Sequence, residues 1–255
     1  MLIRIRSVAF AASLAVLGLA GQALEASAAA EIHRLNLMIS ANPTSIAGGG
    51  FNEYLDDINQ QFLVPLGWET IKEIKFGWSY EAELRYFVRP NVAIAAGVGT
   101  LNSTSKREFL PALQTSINLQ ASVETTPIHV GAAYYLAPYN QGDFQARTYI
   151  GAGLVSAAST QVTFMQDVVA NSARNAIEFS GGQSSPGYYL ETGAHMFFAS
   201  RWSVVLGGVY RDVQLREIQL YAKDLVNPAT PPFPAGQTSL DLRGGAVRMA
   251  VLYGF

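Results

Sequence analysis

Chemistry in this 255-residue chain would have to come from a short set of side chains. His129, His195 and Glu191 are of the types that exchange protons near neutral pH, and Ser203 is of the type that attacks a carbonyl once a base takes its proton. No two of them stand at a spacing that enforces contact, so the sequence predicts no catalytic group and no enzyme. The three histidines, His33, His129 and His195, lack the close spacing of a shared metal site. With no cysteine in the chain, thiolate ligands and disulfides are excluded. Gly151-Ala152-Gly153 lacks the third glycine and following helix of a phosphate loop. It reads instead as a place where small residues make room. No metal and no cofactor are expected.

The charged residues are more informative, because they recur on one face of alternating segments. From Phe76 to Val88 the apolar residues Phe76, Trp78, Tyr80, Ala82, Leu84, Tyr86 and Val88 alternate with a face bearing Glu81, Glu83 and Arg85. The same parity puts His129 and Tyr135, Arg147 and Tyr149, Glu191 and His195, Arg211, and Arg248 on the polar faces of their own strands. Three acids against four arginines in one enclosed, low-dielectric space predict mutual ion pairing rather than a selectivity ring, since an unpaired buried charge is costly.

Strands must position these residues. Hairpins are predicted from Phe76–Val88 into Val92–Leu101, from Ile128–Leu136 into Phe144–Leu154 with a continuation towards Phe164, and from Gly187–Phe198 into Trp202–Arg211. A first strand near Ile32–Ile39 and a last one from about Leu240 to Phe255 complete an even set of eight. Connections alternate between short, at 89–91, 137–143 and 199–201, and long, at 40–74, 102–117, 165–186 and 212–239. Trp78 with Tyr86, Tyr188 with Phe198, and Trp202 with Tyr210 place rings at both ends of a strand face. At ~3.3 Å per residue and a tilt of ~40–45°, such pairs span roughly 19–25 Å, close to the apolar band of a membrane barrel.

Three local features accompany this pattern. The apolar alternation changes parity at Pro127, which predicts a bulge there, and Leu240 and Leu242 fall out of phase with the last strand. After Gly48-Gly49-Gly50, the residues Phe51, Tyr54, Leu55, Ile58 and Phe62 recur at helical spacing and predict an amphipathic helix in an external loop. Its polar side, Glu53, Asp56 and Asp57, is acidic and ill suited to an anionic lipid surface. Packing at the barrel mouth is the expected arrangement, with a gate over the lumen as the sharper reading.

The amino-terminal segment has Arg4 and Arg6, an apolar run from Val8 to Ala20, and small residues at Ala26-Ser27-Ala28 and Ala28-Ala29-Ala30. Residues 1–30 therefore read as a cleaved signal and 31–255 as the barrel. The net charge of −2 gives no reason to expect a nucleic-acid partner.

The signal, the strand-turn repeat and the closing Tyr253-Gly254-Phe255 together resemble the small eight-stranded outer-membrane barrels of Gram-negative bacteria, of the OmpA, OmpX and OmpW type. The resemblance implies an all-β, eight-stranded antiparallel up-and-down transmembrane barrel in the outer membrane. Its lumen is expected to be filled by side chains, as in other barrels of this size. It implies that Tyr253 and Phe255 act as the signal read by the barrel-assembly machinery, and that lipopolysaccharide and the outer-membrane bilayer are partners. A structural or surface-interaction role follows, with a conduit for small hydrophobic molecules as the alternative. The histidine-x-serine motif of lipid-modifying barrel enzymes is not matched around His33, His129 or His195.

Overall fold

The computed structural model describes residues 33–112, 115–171, 173–198 and 200–255. The predicted signal segment lies outside them, as does Ile32. The strands are β1 (Leu35–Ser45), β2 (Phe76–Arg89), β3 (Val92–Ala112), β4 (Thr115–Tyr135), β5 (Tyr139–Gln141), β6 (Phe144–Ala170), β7 (Ala173–Phe197), β8 (Trp202–Asp224), β9 (Phe233–Asp241) and β10 (Gly244–Gly254). Helix α1 (Gly50–Ile58) lies between β1 and β2 and runs into a π-turn, Asn59–Leu63.

Each long strand pairs antiparallel with its neighbour, and β10 pairs with both β1 and β8. The chain thereby closes into an eight-stranded ring, an all-β antiparallel up-and-down barrel. Closure leaves no free edge at membrane depth, which a bilayer requires because it offers no water to unpaired backbone groups.

The ring is inside-out relative to a soluble barrel. Outward positions such as Leu84, Ile94, Val98, Val130, Leu154, Leu190 and Val247 are exposed apolar residues, while Glu83, Arg85, His195 and Arg248 are buried. Only a surrounding apolar solvent makes that arrangement favourable. Trp78, Tyr80, Tyr188 and Tyr210 stand exposed towards one end, and Tyr86, Tyr134 and Trp202 towards the other. This is the arrangement of a barrel that crosses a membrane with its strands.

The predicted long connections are corrected: residues 40–45, 102–112, 115–117, 165–170, 173–186, 212–224 and 233–239 lie in strands and not in loops, and β6 runs for 27 residues. The reason is an inversion of environment. Above the bilayer water replaces lipid outside the barrel, so the inward face becomes the apolar one. On β4 the inward row Leu119, Ala121, Val123, Thr125, Pro127 and His129 is continuous, apolar above and polar below.

The change of parity at Pro127 is therefore a change of solvent and not an extra residue on β4. A register shift does fall at Thr126/Pro127, but the unpaired residue is Ala158 on β6, opposite it. There the inward row of β6 passes from Ala157 to Thr160. A second shift on β8 separates inward Leu215 from inward Ile218, with Glu217 at φ 58°. Leu240 and Leu242 have the same explanation as Val123: both point inward, above the bilayer.

Beyond the membrane the ring opens, because β1 and β2 stop near Ser45 and Phe76 while β3 and β9 continue. The gap between β3 and β9 is filled by residues 46–75. Gly48 and Gly49 adopt φ 83° and 59°, which glycine accepts at no steric cost. They turn the chain so that Gly48 N–H donates to Asp241 O at 2.8 Å, joining it to β9. Phe51, Leu55, Leu63, Ile71 and Ile74 then pack with Leu101, Val123, Phe164, Leu215 and Leu240 in one apolar core.

The helix is present, but its predicted inward face is corrected at one position. The π-turn holds one residue more than an α-turn, and rotates Leu63 inward to 3% exposure while Phe62 is left 60% exposed.

Candidate functional site

Below the apolar core the lumen is crossed by a layer of charge. Arg85 Nη2 lies 2.7 Å from Glu83 Oε1 and 3.1 Å from Glu191 Oε1. Arg248 Nη1 lies 2.6 Å from Glu191 Oε2, and Arg248 Nη2 lies 2.9 Å from Glu81 Oε2. His129 Nε2 is 3.0 Å from Glu83 Oε2. These groups come from β2, β4, β7 and β10, so the layer ties opposite walls of the barrel together.

Sequence periodicity places these residues on inward faces, and the register decides which meet. Glycine supplies the space: a Cβ on Gly151 would stand 2.7 Å from Glu191 Oε1. The row Ser40, Asn42 and Thr44 on β1 is short, leaving room for the long arginines.

Two arginines stand apart from this layer. Arg211 donates to Thr44 Oγ1 at 3.2 Å. Arg147 lies at the other end, where Nη1 donates to Pro90 O and the guanidinium sits 5.8 Å from the Tyr135 ring centroid. Neither has a carboxylate within salt-bridge distance among the described residues.

On the side of the short turns the lumen is closed by Met38, Phe87, Tyr135, Tyr149, Phe197 and Leu252. The charged layer is thus capped by apolar packing above and below. A side-chain-filled interior is what an eight-stranded ring can accommodate.

The structure also joins two residues that no sequence spacing connected. His195 Nε2 is 2.8 Å from Ser203 Oγ, and its Nδ1 is 3.2 Å from Tyr135 Oη. The contact arises across the β7–β8 ladder, where Phe197 pairs with Ser203 and His195 with Val205. Knowing the turn at 198–201 closely enough to set that register would have revealed it.

Arg85 Nη1 donates to Tyr135 Oη at 2.7 Å, so Arg85, Tyr135, His195 and Ser203 form one continuous hydrogen-bonded chain. His195 and Ser203 are also both buried.

The remaining predicted positions sit at the ends of the barrel. Trp78, Tyr188 and Tyr210 are exposed at one end and Tyr86 and Trp202 at the other, while Phe198 is half-buried beyond the end of β7, 5.9 Å from Phe144. Tyr253 packs on Trp202 at 5.0 Å and on Phe255 at 5.1 Å, and Phe255 N–H donates to Leu35 O at 2.9 Å.

No family model and no curated protein matches the chain. Among solved structures it is similar to Neisserial surface protein A, at 15% identity over 87% of this chain and 97% of that one, with a TM-score of 0.41. It is similar to the β-barrel domain of OprF from Pseudomonas aeruginosa, at 11% identity over 88% and 98%, TM-score 0.39. A third is the outer-membrane protease OmpT of Escherichia coli, at 9% identity over 87% and 96%, TM-score 0.37. That likeness corrects the expectation of a non-enzymatic chain: the proteins similar to this one include a protease, so barrel architecture does not exclude enzymatic activity.

Proposed function

We propose that this outer-membrane barrel serves the envelope as a sealed structural element that presents its extended upper half at the cell surface. The observation that carries this reading is the layer Glu81, Glu83, Arg85, Glu191 and Arg248, held between two apolar plugs. Opening a path for water or ions would break several buried ion pairs at once. Each breakage strands a charge at a cost of about 3–5 kcal/mol.

The same layer weighs against a conduit for small hydrophobic molecules through the full length of the lumen, since an apolar solute would have to displace those pairs. Lipopolysaccharide around the outer ring and the barrel-assembly machinery acting on Tyr253 and Phe255 are the partners this reading assigns. The test is single-channel recording of the refolded protein in a planar bilayer. A sealed lumen gives no unitary steps, whereas stable ion-conducting steps would overturn the reading.

A further inference from the structure

The charged side chains are sorted along the barrel axis. All four lysines, Lys72, Lys75, Lys106 and Lys223, lie beyond the outer aromatic ring or in the segment that fills the gap above it, together with most of the acids. The bases at the opposite end are arginines: Arg34 before β1, Arg89 at the end of β2, Arg147 on β6 and Arg201 before β8. Among the described residues, Asp143 is the one acidic side chain at that end. Short turns mark it as the periplasmic end of the barrel.

These arginines form part of an ordered rim. Arg34 O accepts from Phe87 N–H at 2.8 Å and Arg201 O accepts from Gly254 N–H at 2.7 Å, so both backbones are fixed to the barrel's last turns. Arg201 Nη1 reaches Tyr253 Oη at 3.4 Å, at the level of the lower aromatic ring. Arg147 is buried, without a carboxylate partner, and its Nε has no hydrogen-bond acceptor. By donating to Pro90 O it holds the turn that follows Arg89. Arg34, Arg89 and Arg201 are exposed and have no acid within salt-bridge distance among the described residues.

We infer that this rim is an anion-binding surface that takes the phosphate groups of anionic lipids in the leaflet facing it. Arginine suits that ligand because its planar fork matches two phosphate oxygens. The rim also sits where lipid head groups lie, directly below Tyr86, Trp202 and Tyr253. The inference is independent of whether the lumen conducts.

Trp202 adjoins Arg201 and reports on this end, whereas Trp78 reports on the other; Trp68 is the third tryptophan. A Trp68→Phe, Trp78→Phe variant, refolded into mixed phosphatidylglycerol and phosphatidylcholine bilayers with one lipid brominated at a time, reads which lipid contacts Trp202. At low ionic strength the quenching should favour phosphatidylglycerol by roughly fivefold for each arginine engaged. It should weaken as salt is added. Adding Arg34→Gln, Arg89→Gln and Arg201→Gln should bring the ratio to one without altering the fold, because all three side chains are exposed. The companion variant that keeps Trp78 should show no preference. Equal quenching at Trp202, or a preference that survives the triple substitution, would overturn the inference. Loss of the preference in inorganic phosphate at constant ionic strength would assign the rim to a free anion and overturn the lipid assignment.

Discussion

Arg248 on the closing strand reaches over β1 to place Nη2 2.9 Å from Glu81 Oε2 on β2. The contact spans the seam at which the ring closes, where Pro43 offers no N–H and the β1–β10 ladder is interrupted between Ala41 and Thr44. Side chains thus reinforce closure where the backbone contributes least. Arg248→Met removes the cation shared by Glu81, Glu83 and Glu191, leaving buried carboxylates uncompensated. The refolded variant should lose about 3–5 kcal/mol of stability in urea titration of lipid-embedded protein. Arg85→Met should do the same, and a loss under about 1 kcal/mol in either would count against the network as a brace.

How much of this was legible in the sequence depends on what each feature needed. Alternation alone placed Glu83, Arg85, Glu191 and Arg248 inward, because a strand's faces follow from a period of two. The pairings Arg85–Glu191 and His195–Ser203 were not legible, since they depend on registers fixed by the turns and on three strands meeting across a lumen. Val123, Leu240 and Leu242 fall out of phase with the rest of their strands only if one solvent surrounds the whole strand. With lipid below and water above, the same inward face changes from polar to apolar without any shift of the chain.

The segment filling the gap between β3 and β9 is held by two amides. Asn52 accepts from Ile74 N–H at 2.8 Å and donates to Ile74 O at 3.1 Å, while Asn59 does the same with Ile71 at 2.8 and 3.0 Å. Seven residues apart, they lie on one helical face and replace a missing strand's hydrogen bonds. Asn59→Ala strands a buried N–H and C=O and should destabilise this segment by about 1–3 kcal/mol. Limited proteolysis should then cleave within residues 46–75 while urea unfolding of the membrane-embedded ring stays unchanged. Equal protease resistance in variant and parent would refute the assignment.

The π-turn makes a paired prediction at adjacent residues. Leu63 is buried and Phe62 is exposed, although helical spacing from Phe51 would choose Phe62. Leu63→Ala should cost about 2–5 kcal/mol of local stability through the cavity it leaves. Phe62→Ala should cost under about 0.5 kcal/mol, as surface substitutions do. Hydrogen exchange at the Leu55 and Ile74 amides distinguishes the two, and similar acceleration by both variants would place Phe62 in the core after all.

Phe255 lies just past the last paired position, with its ring exposed and its N–H donated to Leu35 O at 2.9 Å. Its deletion removes one backbone hydrogen bond and one edge-on contact with Tyr253, a loss of about 1–2 kcal/mol to the folded ring. A role as an assembly signal predicts much more than that small loss. Deletion of Phe255 should sharply reduce the amount of barrel inserted in cells, while detergent refolding of the purified variant remains nearly normal. Replacement by Trp should restore insertion and by Ser should not, because an aromatic ring is the feature recognised. Normal cellular insertion of the truncated chain would reduce Phe255 to a packing residue at the seam.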